Sequence, residues 1–517
     1  MAKRLTLALA VLFFVITGAL PVLSMLFRSI YIDGHFGLES YRGLMSSSHQ
    51  WLLMRNSLAL SSLVTLLTVA AGVPLGILLG KTDLPYRRLL TLLFVIPLLI
   101  PAYIIAVSWS GLLGHWETAG RWLFGLPGCV LVLFSVFLPV PMLLTMVFLR
   151  TINPELEQAG RLVSNWRGVL RGITLPLILP GIGLAALLVF VLSFGEFGVP
   201  NFLRFAVYPV ESFTQFAAFY NFRAATAAAL PLAAVTLILL WLEASWLRDK
   251  TWRVRPVAGA GRAPLIELGS HRLWLFVVVV CGALVFAVIP IVVLLFQSTG
   301  AYAEAFSRAG ASLLRSLAYS AFGASLLVVL GFLIGYLVYT QPNRYGRAVD
   351  SLTFFLFALP GTVIGIGLIS LWNTPWTNLV YATPLIILFG YLAKYTALTS
   401  RITVSQLAQI SPSMEQAAEI AGAGWFRRML FIVAPLAWRG LLAGWLVAYI
   451  FTLRDTGITM LVYPPGHETL PVRIFTLMAN GTPQLIAALC VIMIVATLLP
   501  AGLLWSLLIR KNPGVGR

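Results

Sequence analysis

The sequence predicts an all-α integral membrane protein of about twelve transmembrane helices. Of its 517 residues, 60% are hydrophobic and only 10% are charged, whereas soluble domains carry about 25% charged residues. Apolar runs recur along the whole chain, and a membrane-spanning helix needs about 20 predominantly apolar residues. A third observation, a repeated segment described below, predicts that the helices form two tandem sets of six.

Breaks between the apolar runs give the predicted spans. These are 5–27, 56–80, 88–112, 125–149, 178–199 and 225–247, followed by 273–297, 316–340, 352–374, 378–400, 437–460 and 484–509. The first run is too long for the apolar core of a cleaved signal peptide, so we expect an uncleaved first helix. The polar stretch 251–272 separates the two sets. We therefore predict a first six-helix domain over 1–250, a basic cytoplasmic linker over 251–272 and a second six-helix domain over 273–517.

Charge supports a membrane topology and no nucleic-acid partner. The net charge is +18, but Lys and Arg are scattered in short groups between apolar runs and form no basic stripe. Placing the N-terminus in the cytoplasm puts most of the 35 Lys and Arg in inner loops, as the positive-inside rule requires. We expect a multi-pass membrane protein, surrounded by lipid, with both termini cytoplasmic.

The residue types that carry enzymatic chemistry are not grouped in the sequence. Cys129, Cys281 and Cys490 each lie alone in an apolar run, and the five His lie in loops or at loop edges. Their spacing fits neither a disulfide framework nor a metal site. We predict no catalytic residue, no cofactor, no metal site and no enzymatic activity.

Two polar segments at corresponding places in the two halves resemble each other. One reads ELEQAGRLVSNWRGVLRGITLPL from Glu155 and the other reads SMEQAAEIAGAGWFRRMLFIVAPL from Ser413. The match continues beyond them, because Glu196 and Asp455 each follow 20 residues after the proline of their segment. The chain is therefore predicted to be a tandem duplication with pseudo-twofold symmetry.

Both segments begin as short helices that are too polar to span a membrane. Each is predicted to lie along the inner membrane surface and to end at a proline before the next span. The small residues allow close approach to a partner, the acidic residue offers a charge-assisted contact, and Gly422 allows a tight turn after the second helix. The alternative is an amphipathic loop helix that has no partner.

These residues resemble the signature of the permeases of binding-protein-dependent ABC importers, an EAA segment followed by a Gly and a hydrophobic-x-Leu-Pro ending. The matching residues are Gln158, Ala159, Gly160, Ser164 and Ile173 to Pro176 in one copy, and Gln416, Ala417, Ala418, Gly422 and Ile432 to Pro435 in the other. Gln stands at the Glu position of the signature in both copies, and Glu157 and Glu415 lie one residue earlier.

The resemblance implies a fold, a mechanism and partners. The fold would be two type I, MetI-like permease units, and each EAA segment would be a coupling helix that docks on an ABC ATPase subunit. Two ATPase subunits and a periplasmic solute-binding protein are the implied partners. The implied coupling residues are Glu157, Gln158, Ala159, Gly160, Glu415, Gln416, Ala417, Ala418 and Gly422.

Two carboxylates near the outer ends of the fifth spans are candidates for the translocation path. Glu196 and Asp455 occupy equivalent positions, and Gly198 and Gly457 follow two residues later. Ionisable groups at membrane depth usually face the bundle interior or water. The alternative is that Glu196 caps its loop and that Asp455 pairs with the adjacent Arg454.

Fused double permeases of this length resemble the iron(III) importers, and the phrases FGEFGVPNFL and YPPGHETLPVRIFTLM are most similar to that group. Thiamine, polyamine or phosphonate importers remain alternatives, because the binding protein would do most of the selection. A six-plus-six ion-coupled secondary transporter is a rival, but its charged motif is not present between Lys81 and Arg88. A membrane scaffold without transport activity is a third possibility.

Overall fold

The computed structural model describes residues 2–32, 35–37, 46–217, 219, 222–242, 245 and 265–510. Within these residues nine helices are long and apolar enough to cross a membrane. Their bounds are Ala2–Ile30, Ser48–Lys81, Leu126–Leu149, Trp166–Phe194, Ala224–Leu242, Gly269–Gln297, Tyr302–Thr340, Trp425–Leu453 and Pro483–Leu503. The predicted all-α membrane fold is confirmed.

Two further predicted spans, 88–112 and 352–374, are each broken in the middle, which corrects the prediction of continuous helices. Arg87–Leu99 and Ala102–Leu113 meet at 99°, and Arg344–Ala358 and Gly361–Trp372 meet at 106°. Both bends fall at a proline, Pro101 or Pro360, that caps the second helix of its pair. A proline lacks the N–H that a continuing helix would need, and it pushes the preceding residue out of the helical region.

The predicted span 378–400 overlaps the helix Leu385–Leu407, which begins and ends later than predicted, and the start of the predicted span forms the separate short helix Asn378–Tyr381. This helix carries Lys394 and Arg401 among its apolar residues. Shorter elements connect the long helices. They are the helices Glu117–Leu123, Pro154–Val163, Gly198–Phe202, Tyr208–Ala217, Asn378–Tyr381, Pro412–Ile420, Thr459–Val462 and Leu470–Leu477, and the two-residue strands Tyr31–Ile32 and His35–Phe36.

Four of the long helices contain one π-helical turn, and each turn lies immediately before a residue followed by proline. The turns are Val15–Ala19, Leu170–Thr174, Leu284–Val288 and Met429–Val433, and the prolines are Pro21, Pro176, Pro290 and Pro435. Proline has no N–H, so one hydrogen bond of the regular helix is missing. The wider π turn accommodates this gap. The helices therefore begin at Trp166 and Trp425 and continue through these prolines, which corrects the prediction that the surface segments run as far as the prolines.

The helices form two compact units that do not follow the order of the sequence. One consists of Met1–Ser47, Glu211–Ala233 and Gly300–Arg517, and the other of Ser48–Val210 and Ala234–Thr299. The N-terminal helix thus packs with the second half of the chain, and the helix Gly269–Gln297 packs with the first half. The domain limits predicted from the repeat, and its linker, stay a prediction, and 251–264 lies outside the described residues.

Equivalent contacts tie each of these exchanged helices to a broken pair. In the first unit, a Cβ added at Gly367 would lie 3.1 Å from the backbone of Pro21. In the second unit, the Ser108 hydroxyl donates a hydrogen bond of 2.6 Å to the Pro290 carbonyl. Both contacts join the proline after a π turn to the second helix of a broken pair, so the duplication extends to the tertiary structure.

Two pairs of glycines let long helices cross closely. A Cβ at Gly76 would lie 2.6 Å from the Met142 carbonyl oxygen, and a Cβ at Gly335 would lie 2.7 Å from the Ser400 carbonyl oxygen. Gly72 and Gly331, one turn earlier on the same helices, are equally crowded. Small residues at this spacing allow the backbone contact that drives helix association in lipid.

Candidate coupling and translocation sites

The first surface helix, Pro154–Val163, is anchored by a buried ion pair. Asn153 caps its N-terminus by accepting a hydrogen bond of 3.1 Å from the Glu155 N–H. Glu157, further along the helix, is only 1% exposed and pairs with Lys81, which is 4% exposed. The Thr174 hydroxyl donates a second hydrogen bond of 2.8 Å to the same carboxylate. The helix is therefore fixed to the end of the helix Ser48–Lys81 and to a π turn.

The second surface helix, Pro412–Ile420, uses the equivalent acid with a different partner. The Tyr336 hydroxyl donates a hydrogen bond of 2.8 Å to Glu415. Glu419 pairs with Arg428, whose side chain is 8% exposed. Gly422 has φ of +81°, which confirms the predicted tight turn, because residues with a Cβ are strained in that region.

Opposite these anchored acids, both surface helices present an exposed face. It includes Gln158, Ala159, Gln416 and Ala417. Leu162 and Ile420, which occupy equivalent positions, are 89% and 88% exposed. Exposed apolar side chains that recur at matched positions are typical of a protein-binding surface.

Gly160 lies between the two faces and needs to be small. A Cβ there would lie 2.6 Å from the Ile173 side chain and 3.2 Å from the Val169 side chain. The helix can therefore pack closely on the segment that leads into the next span. Ala418, half-buried, takes the equivalent position in the second copy.

The candidate pathway carboxylates lie where the helices Trp166–Phe194 and Trp425–Leu453 end. Glu196, half-buried, accepts backbone hydrogen bonds from Gly198 at 3.0 Å and from Val199 at 3.4 Å. It thus caps the short helix Gly198–Phe202, which matches the capping alternative. Gly198 also packs on Tyr103, because a Cβ added at Gly198 would lie 3.5 Å from the Tyr103 side chain.

Asp455 makes an extensive network within the bundle. It is 5% exposed and accepts hydrogen bonds from the Ile458 and Thr459 backbone N–H groups at 3.1 and 3.0 Å. The Tyr395 hydroxyl donates a further hydrogen bond of 2.7 Å. Gly457 lies against Gly361 at the start of a broken-pair helix. The guanidinium of Arg454 lies 4.9 Å from the centre of the Phe451 ring.

Sequence reasoning did not single out Lys81, Tyr336 or Tyr395 as site residues. Lys81 could have been identified from the sequence, because it is a single cation directly after an apolar run. The repeat hid its role, since the position equivalent to Lys81 in the second half is Thr340, and Tyr336 lies one turn earlier on that helix. Within the described residues no group of three or more His, Cys, Asp or Glu could hold a metal ion.

Comparison with known proteins identifies the class of protein that this architecture represents. Residues 327–511 match the family of binding-protein-dependent transport system inner membrane components. A putative ferric transport system permease protein of Haemophilus influenzae is 21% identical over 509 residues, which cover 92% of this chain and 79% of the relative. A ferric transport system permease protein of Actinobacillus pleuropneumoniae is 21% identical over 501 residues, covering 90% and 72%.

A shorter relative matches only part of the chain. The spermidine/putrescine transport system permease protein of Haemophilus influenzae is 28% identical over 199 residues, which cover 38% of this chain and 76% of the relative. A partial match of this kind fits a chain that contains two copies of a permease unit.

The fold and the duplicated surface helices therefore define a polytopic transport permease of the inner membrane. More particularly, residues 327–511 match the family of binding-protein-dependent transport system inner membrane components, and most of the chain is similar to the ferric transport permeases.

Proposed function

We propose that this permease forms the membrane pathway of an ATP-driven importer that moves iron(III) from the periplasm to the cytoplasm. The observation that supports the solute best is that two ferric permeases match this chain over 90% or more of its length. A polyamine permease matches a smaller part, and polyamine, thiamine and phosphonate remain the alternative solutes.

Two ABC ATPase subunits would supply the energy, one at each surface helix. The exposed face formed by Gln158, Ala159, Leu162 and their equivalents supports this assignment. Glu157 and Glu415 are held inside their own unit by Lys81 and Tyr336, so we infer that they position the helix and that the exposed face contacts the ATPase. Both helices, and both termini, would be cytoplasmic.

Force would pass from each surface helix into the bundle through these anchored acids. The Glu157 ion pair joins the first surface helix to a long helix that crosses Leu126–Leu149 at Gly72 and Gly76. Packed helices switch between discrete arrangements, so a small shift at the surface can move the whole bundle between two states. Glu196, Gly198, Asp455 and Gly457, at the helix breaks, are the proposed pathway residues.

Co-purification with the ATPase tests the proposed docking face. Ala159 and Ala417 are exposed, so their replacement by Trp should leave the fold intact and block close approach. We expect A159W/A417W to lose the ATPase during affinity purification. A382W, which enlarges an exposed alanine between the helices Gly361–Trp372 and Leu385–Leu407, should retain it. Equal retention by both variants would contradict the assignment.

Substrate is tested separately, by competition in membrane vesicles that contain the binding protein and the ATPase. Uptake of radiolabelled iron(III) should be driven by ATP and should be unaffected by excess spermidine or 2-aminoethylphosphonate. Uptake that stops with a proton ionophore while ATP is present would favour an ion-coupled transporter. No uptake of any solute would favour a scaffold.

A further inference from the structure

A cavity of about 450 Å³ lies between the helices Leu385–Leu407 and Ala434–Leu453 of the first unit. Its lining includes two guanidinium groups, from Arg401 and Arg439, together with the polar side chains of Ser405 and Gln406. The remaining lining residues are small or apolar. This is a cationic cavity that opens to the surface of the bundle, because Ser405 and Arg439 are both exposed.

The position of Arg439 makes this composition notable. Arg439 is exposed and lies in the first turn of the predicted span 437–460, near its inner end. Basic pockets between membrane helices on this side bind anionic headgroups. Packing alone does not require the arginine, because the neighbouring Gly440 already makes the close contact with Gln406.

The first half of the chain offers an internal comparison. The same helix crossing recurs there, where Gly181 lies against Phe148 as Gly440 lies against Gln406. At the positions equivalent to Arg401, Ser405 and Arg439, the first half has the apolar residues Leu143, Val147 and Pro180. The fold therefore does not need polar side chains at this crossing, and the two arginines at these positions are specific to the second half.

The Arg401 side chain is fixed by contacts on one side and is accessible on the other. Its guanidinium lies 4.4 Å from the centre of the Phe354 ring and 3.5 Å from the carboxylate of buried Asp350. About a third of the Arg401 side chain remains exposed, and the residue contributes to the cavity wall. Such fixation reduces the entropy that the arginine would lose on binding a ligand.

We propose that this cavity binds a phosphate group. Two guanidinium groups, with a hydroxyl and an amide beside them, supply the planar, charge-assisted donors that phosphate oxygens accept. The group could belong to the headgroup of an anionic phospholipid, since basic pockets between membrane helices bind such headgroups, or to a soluble phosphate.

Thermal unfolding of the full-length chain in a detergent free of zwitterionic lipid tests the proposal. The probes are phosphatidylglycerol in mixed micelles and sodium phosphate at constant ionic strength. A ligand that binds only the folded state raises the melting temperature as its concentration rises. We expect one of the probes to do so, and which one does identifies the source of the phosphate.

Matched variants then locate the site. R401Q/R439Q should raise the probe concentration needed for half-maximal stabilisation by at least about tenfold, because both charge-assisted contacts are lost. R344Q/R427Q removes the same charge from two exposed arginines and should respond like the parent protein. Since R401Q also breaks the contact with Asp350, the single variant R439Q is measured as well and should show a weaker response in the same direction.

Two results would overturn the proposal. One is that neither probe stabilises the parent protein beyond what sodium chloride and phosphatidylcholine controls produce. The other is that R439Q and R344Q/R427Q respond to the probe as the parent does.

Discussion

The equivalent carboxylates of the two surface helices bind different kinds of side chain. Glu157 meets an ammonium group from Lys81, and Glu415 meets a phenol from Tyr336. Both partners lie on the second long helix of their own half, but they are one turn apart in the repeat. The duplication thus preserves the attachment of the surface helix while the residues that make it have diverged.

Replacing Lys81 by Met is expected to destabilise the protein strongly. It would leave the buried Glu157 carboxylate without its cation, and breaking a buried ion pair from one side typically costs about 3–5 kcal/mol. Y336F removes one hydrogen bond to a charged group and should cost less, about 1.5–3 kcal/mol. Melting temperatures measured in detergent would rank the stabilities of the two variants. R427Q, at an exposed arginine, is the control.

A K81M/E157L variant completes this test. If the loss comes from the unpaired carboxylate, the double variant should recover most of the stability lost in K81M. A double variant that is less stable than K81M would show that the pair contributes net stability, against our interpretation.

Asp455 and Glu196 should differ in their contribution to stability. Asp455 accepts hydrogen bonds from two backbone N–H groups and from Tyr395, and it is nearly fully buried. Glu196 is half-buried, so its carboxylate is partly solvated and its removal costs less. D455A should therefore lower the melting temperature more than E196A does. Equal losses would show that the Tyr395 contact contributes little.

At the scale of elements, close helix crossing is the feature most sensitive to a single methyl group. A Cβ at Gly335 would lie 2.7 Å from the Ser400 carbonyl oxygen and 2.8 Å from Thr403. Gly310, in the same helix Tyr302–Thr340, has no neighbouring atom within 4 Å of the added Cβ. Substituting each of these two glycines by alanine therefore separates the effect of helix packing on stability from the effect of helix propensity.

G335A should lower the melting temperature, because the two helices must move apart or distort to accept the methyl group. G310A should raise stability slightly, by up to about 1 kcal/mol, because Ala favours the helix over Gly. Stabilisation by both substitutions would mean that the helices are not in close contact at Gly335.

The sequence was sufficient for most elements but not for their shape. Apolar length and charge located eleven spans and the helix Leu385–Leu407, because the thickness of a bilayer fixes these quantities. Proline has several structural outcomes, and the sequence did not distinguish them. Pro101 and Pro360 accompany sharp bends, whereas Pro176 and Pro435 follow π turns in continuous helices.

Site residues were predictable to the extent that they are repeated. The matched segments drew attention to Glu157, Glu415, Glu196 and Asp455, which the structure places at anchored or capping positions. Their partners were not predictable, because a contact between residues 76 positions apart, such as Lys81 with Glu157, leaves no local pattern. The arginines of the cationic cavity were missed, since the residues equivalent to Arg401 and Arg439 in the first half are apolar.

For the whole molecule, the duplication describes tertiary packing as well as sequence. Each half gives its first helix to the other compact unit, and the contacts of Pro21 and Pro290 with the broken pairs are equivalent. Two equivalent surface helices in such a molecule suit two equivalent motors. The symmetry is incomplete at two places. Lys81 in one half is replaced by Tyr336 as the partner of the acid in the other half, and the arginines that line the cavity have apolar equivalents.

ATP-dependent uptake by proteoliposomes that contain the permease, the ATPase and the binding protein tests the central claim most directly. We predict that iron(III) is taken up only when all three proteins and ATP are present, that A159W/A417W abolishes this uptake, and that A382W does not. Uptake of iron(III) at the full rate by proteoliposomes that contain the permease but lack the ATPase would contradict the account.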